Sequence, residues 1–157
     1  MLASMILKVM SLMSKKGRRQ AQTVGPLMRR TKDRMNLKLL KEIDVKIGYP
    51  SNIITGCIIL DNGRVLFTEY NEGNYIDRVT LNDSNGNFIC TFQALDTYTG
   101  SFYDITSIDT NTVAVSIGAC ISIVNIDTQN IVHTIQNGCF CYGITHCDGK
   151  LYYCSDL

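Results

Sequence analysis

The sequence predicts an all-β fold: a partial β-propeller of about two and a half four-stranded blades, with one strand ahead of them. Three observations carry this. From Gly56 onward, short runs rich in Ile, Val, Thr, Tyr and Phe alternate with Asn, Asp and Gly turns. No stretch of that region keeps a 3.6-residue apolar period long enough to compete as a helix. The turn residues Asp61, Asp109 and Asp148 recur at intervals of 48 and then 39 residues, with four runs to a unit, as blades require. A sandwich of about seven strands has similar turn spacing, but it does not call for internal matches at that period.

In chain order, Met1–Met13 sets Ser4, Lys8, Ser11 and Lys15 on one stripe among Met, Leu, Ile and Val. That predicts a non-globular leader or, at best, a short amphipathic helix, far too short to span a bilayer. Leu39, Ile43, Val45 and Ile47 alternate with Glu42, Asp44 and Lys46, the period of a strand, here the outer strand of a preceding blade. The first blade follows as Cys57–Leu60, Arg64–Tyr70, Tyr75–Leu81 and Phe88–Gln93, separated by Asp61-Asn62-Gly63, Asn71–Asn74 and Asn82–Asn87. The second is Tyr103–Ile108, Thr112–Ile117, Cys120–Ile126 and Ile131–Ile135. Tyr142–Cys147 and Lys150–Cys154 begin a third around Asp148-Gly149, and Tyr103-Asp104-Ile105-Thr106 matches Tyr142-Gly143-Ile144-Thr145. Propellers typically use at least four blades, so the sequence reads as part of a ring, with blade faces open to self-association.

The net charge of +1 conceals a segregation. Residues 1–50 hold 12 of the 15 Lys/Arg against Asp33, Glu42 and Asp44, a sum of +9; residues 51–157 hold Arg64, Arg78 and Lys150 against 11 carboxylates, a sum of −8. The reversal suggests a basic leader over residues 1–36 and the propeller piece over 37–157. The leader carries Lys15-Lys16 and Arg29-Arg30-Thr31-Lys32, a pattern compatible with nuclear or mitochondrial targeting or with contact to nucleic acid, and also with a solvated linker. The apolar segment precedes the charges, the reverse of a secretory signal. With seven Cys, an odd number, reduced cytoplasmic thiols are expected.

Nothing in the pattern marks catalysis. Cys139, Cys141, His146, Cys147 and Cys154 are dense, but Cys139-x-Cys141 is not zinc spacing, and His146 and Cys147 fall on opposite faces of one strand. Asp61, Asp83, Asp109 and Asp148 lack Asp-x-Asp-x-Asp calcium spacing and suit turns. No metal or other cofactor is expected. Binding is the expected work, through loops joining second to third strands and one blade to the next. The candidates are Tyr70, Asn71, Glu72 and Asn74 in one loop and Asp96, Thr97, Tyr98 and Phe102 in another, an aromatic and polar patch of interface type.

Gly56-Cys-Ile-Ile-Leu-Asp61-Asn-Gly63, then Arg64-Val-Leu-Phe-Thr-Glu69-Tyr-Asn71, Ile76-Asp77-Arg78-Val79 and Asp83-Ser-Asn-Gly86 together resemble an NHL-type blade. The second copy lacks the Arg-hydrophobic element. Residues 37–157 are similar to the NHL-like propellers that end many invertebrate tripartite-motif (TRIM) proteins. The resemblance implies a non-catalytic module that selects protein or RNA substrates for a ubiquitin ligase whose zinc-binding RING lies upstream; no Cys-x-x-Cys pair occurs here to supply one. The alternatives are a fragment of a calcium-dependent six-bladed propeller hydrolase, or nucleic-acid binding by the basic leader.

Overall fold

The computed structural model describes residues 3–14, 35–47, 53–70, 77–95 and 100–156. Among them there are twelve strands and no helix. β1 (Ala3–Ser14) and β2 (Met35–Ile47) form a two-stranded sheet. This corrects the expectation of a non-globular or short-helical leader: Ala3–Ser14 is extended. An isolated helix of that length is marginal in water, whereas a partner strand satisfies the backbone along its length. β2 contains the alternating strand expected near residue 40 and runs unbroken through residues 36 and 37. The chain divides into two compact units, Ile6–Ile43 and Met1–Met5 with Asp44–Leu157. The basic clusters at Lys15-Lys16 and Arg29–Lys32 lie outside the described residues.

Two four-stranded meanders and a two-stranded one follow. β3 (Ile53–Ile59), β4 (Val65–Tyr70), β5 (Arg78–Asn82) and β6 (Phe88–Phe92) make the first blade in that order. β7 (Phe102–Ser107), β8 (Thr112–Ile117), β9 (Cys120–Asn125) and β10 (Asn130–Gln136) make the second, and β11 (Cys141–Cys147) pairs β12 (Lys150–Ser155). All these pairings are antiparallel. β7 packs against β3 and β4 on one side and against β11 on the other, so the first strands of successive blades stand side by side.

Strand alternation loads both faces of the second blade. Val113, Val115, Ile117, Cys120 and Val124 join Leu66, Val79, Leu81 and Phe92 of the first blade in one apolar cluster. Ala114 and Ile121 face Cys141 and Ile144 of the third in another. The turns behave as their residues require. Asp83 accepts from the backbone N–H of Asn85 and Asn87 at 2.8 Å each, and Asp109 accepts from that of Asn111 at 2.8 Å. The Asn87 side-chain bond, followed by its backbone N–H, holds the Asp83 carboxyl below its ordinary range. At Asp148-Gly149 both residues take positive φ, 50° and 71°, which is the two-residue hairpin geometry that Asp-Gly favours. Asn82, the acceptor of the sequon Asn82-Asp83-Ser84, is fully buried. Among the described residues no helix is long and apolar enough to cross a membrane.

Candidate functional site

One feature recurs at the head of every first strand. The ladder slips between Ile54 and Gly56, between Phe102 and Asp104, and between Cys141 and Gly143, leaving Thr55, Tyr103 and Tyr142 as bulge residues at one position of the repeat. A bulge bends its strand and re-aims the side chain it carries. Tyr103 and Tyr142 are thereby brought together, ring centroids 5.0 Å apart at 69°. Phe140 completes the group, stacked on Tyr142 at 6.2 Å and 22°, and edge-on to Tyr103 at 6.5 Å and 89°. Phe140 and Tyr142 are each 48% exposed, an unusual position for two neighbouring large rings.

Asp156, just past β12, braces this group. It accepts the Phe140 N–H at 3.1 Å and the Tyr142 hydroxyl at 3.4 Å. The Tyr142 phenol is pushed above its ordinary range, first by desolvation and next by the Asp156 charge.

The loops at this end form a hydrogen-bonded rim. Gly118 N–H donates to Ser101 O at 3.0 Å, Cys141 N–H to Gly118 O at 2.9 Å, and Asn137 N–H to Ala119 O at 2.9 Å. The Asp77 carboxylate accepts Phe102 N–H at 3.1 Å and ties the first blade to the head of the second. Just inside the rim, Asp104 accepts Ile144 N–H of the third blade at 3.0 Å, and Thr106 Oγ1 accepts His146 N–H at 3.2 Å. These bonds tie the strand heads of neighbouring blades to one another.

The residues suggested by sequence fare differently. Tyr70 ends β4 and is half-buried. Phe102 is 3% exposed and belongs to the core between the first two blades, so the aromatic proposed for the loop surface points inward; its neighbour Tyr103, on the bulge, points to the rim. Asn71, Glu72, Asn74, Asp96, Thr97 and Tyr98 lie outside the described residues. Sequence reading missed Tyr103, Phe140, Tyr142 and Asp156 as a group. Its only trace was the Tyr103/Tyr142 match between copies, because strand alternation alone does not reveal a bulge.

The cysteine-rich segment does not converge. Cys141 is buried, its thiol pushed up to about 11 mainly by that burial, whereas Cys147 and Cys154 are exposed and all seven cysteines are free. Among the described residues no three His, Cys, Asp or Glu side chains are grouped to hold a metal ion.

No protein-family model and no curated protein matches the chain. Solved structures do. The Pan2 WD40 domain of Neurospora crassa is 14% identical with a TM-score of 0.51, over 76% of this chain and 34% of that one. A chain of a nidogen/laminin complex is 20% identical with a TM-score of 0.53, over 82% of this chain and 47% of that one. These likenesses show the fold, a β-propeller region, and the chain spans about a third to a half of each matched structure.

Proposed function

We propose that this propeller region is a non-catalytic recognition module, and that it captures a protein partner on the rim where the blades begin. The observation carrying this reading is the Tyr103–Phe140–Tyr142 group, with Phe140 and Tyr142 exposed and Tyr103 half-buried, at the hydrogen-bonded heads of the first strands. Large rings held rigid at low entropic cost are what binding surfaces use as anchors. Tyr98, a candidate from the sequence, falls in the chain between β6 and β7. The NHL-like pattern from Gly56 to Gly86 supports a tripartite-motif origin, in which the module presents a substrate to a ubiquitin ligase in the cytoplasm.

The test compares proteins captured by the intact chain with those captured by Tyr98→Ala, Tyr142→Ala and, at the opposite end of β12, Lys150→Ala. Loss of the same captured proteins in Tyr98→Ala and Tyr142→Ala, with retention in Lys150→Ala, supports the rim. An unchanged profile in all three removes it.

A further inference from the structure

We propose that the Tyr103–Phe140–Tyr142 group and the Asp156 carboxylate form a seat for a cationic side chain, arginine or lysine, of a partner peptide. This rests on the rim being the recognition surface and names the chemistry it takes.

Aromatic faces carry a negative quadrupole that attracts a guanidinium or ammonium group lying within about 6 Å of the ring. Here three rings lie 5.0 to 6.5 Å apart at unequal tilts, so faces as well as edges are offered to one approaching group. Asp156 stands beside them, exposed. Its two bonds, to Phe140 N–H and the Tyr142 hydroxyl, fix its orientation and leave lone pairs for a further donor.

The surrounding charge selects the ligand. Residues 51–157 hold three Lys/Arg against 11 carboxylates. Arg64 is bound to Asp127 at 2.8 Å and Arg78 to Glu69 at 3.4 Å, while Lys150 begins β12 and Asp156 follows its end, about 20 Å away along a strand of this length. No cation of this region therefore neutralises Asp156. A wholly apolar partner would bury that carboxylate unpaired, and an acidic peptide or a nucleic-acid phosphate would bring like charge to it. A basic side chain satisfies rings and acid together.

The experiment titrates the full chain, by fluorescence anisotropy, with a labelled twelve-residue Gly/Ser peptide carrying two arginines, and with the same peptide carrying two glutamines. The arginine peptide is expected to bind more tightly. Tyr142→Leu and Asp156→Asn should each weaken it by about 2- to 30-fold, the span of cation–π and charge contacts. Asp148→Asn, which removes the same charge from the opposite turn, should leave it unchanged. Tyr142→Phe keeps the ring and loses only the bond to Asp156, so it should retain most of the affinity even if Tyr142→Leu unfolds. Equal binding of the two peptides, equal loss in Asp148→Asn and Asp156→Asn, or no binding of either overturns the cationic seat. If partner capture still depends on Tyr98 and Tyr142 in that case, the recognition surface stands and only its ligand chemistry falls; if capture is also indifferent to them, both fall.

Discussion

At Asp104 one carboxylate serves two backbone donors, Ile105 N–H of its own strand at 2.9 Å and Ile144 N–H of the next blade at 3.0 Å. The space for it comes from Gly56, which occupies the equivalent repeat position in the first blade. A Cβ at Gly56 would lie 2.9 Å from Asp104 Oδ1, 2.9 Å from Ile105 N and 2.8 Å from Thr68 Oγ1. Gly56→Ala must therefore push blades apart, and we expect it to cost about 1–3 kcal/mol by urea unfolding. Gly149 is a glycine for a different reason: its φ is +71°, and a Cβ there meets nothing within 4 Å. The rim group is likewise decided residue by residue, since the same bulge presents Thr55 in the first blade and tyrosines in the second and third.

Equivalent strands of the first two blades differ around one buried hydroxyl. In the first blade Phe67 faces Thr80 across the ladder, and in the second Val115 faces Ser122. Thr80 Oγ1 donates a short hydrogen bond to Glu69, which is 1% exposed and also accepts from Arg78 at 3.4 Å. Glu69 and Arg78 are the acid and the Arg of the NHL-like pattern, and they face each other in register. In the second blade that cross-strand pair is Ile117 and Cys120, both buried. Ser122 Oγ consequently has no hydrogen-bond partner among the described residues. The same hydroxyl position is thus stabilising in one blade and a burden in the other. We expect Thr80→Val to destabilise by about 1.5–3 kcal/mol, the worth of a bond to a charged group, and Ser122→Ala to be neutral or slightly stabilising. Paired urea titrations check both, and a larger loss from Ser122→Ala than from Thr80→Val would contradict the assignment.

Across the propeller unit, stability should follow how many faces a blade has covered. Repeat arrays hold together through nearest-neighbour contacts, and the second blade packs on both sides. β12, by contrast, has four consecutive exposed residues from Tyr152 to Ser155. Amide hydrogen exchange is expected to be slowest in β8 and β9 and fastest in β12. Asp104→Ala, which removes the carboxylate from Ile144 N–H, should accelerate exchange in β11 far more than in β4. Uniform exchange across all three blades would argue against this gradient.

By itself the sequence determined the all-β class, the blade period and nearly every strand from Cys57 to Cys154, because turn chemistry and apolar alternation are written in neighbouring residues. Thr112–Ile117 is observed with the bounds its pattern gives, and the others shift by a few residues at most. Tertiary structure decided what local pattern cannot encode. A strand partner made Ala3–Ser14 extended where its composition allowed a short helix. A one-residue bulge turned Phe102 into the core and Tyr103 onto the rim, and chain reversal through β12 brought Asp156 beside rings that lie 14 to 53 positions earlier. Such groupings arise from packing between blades, between residues far apart in sequence.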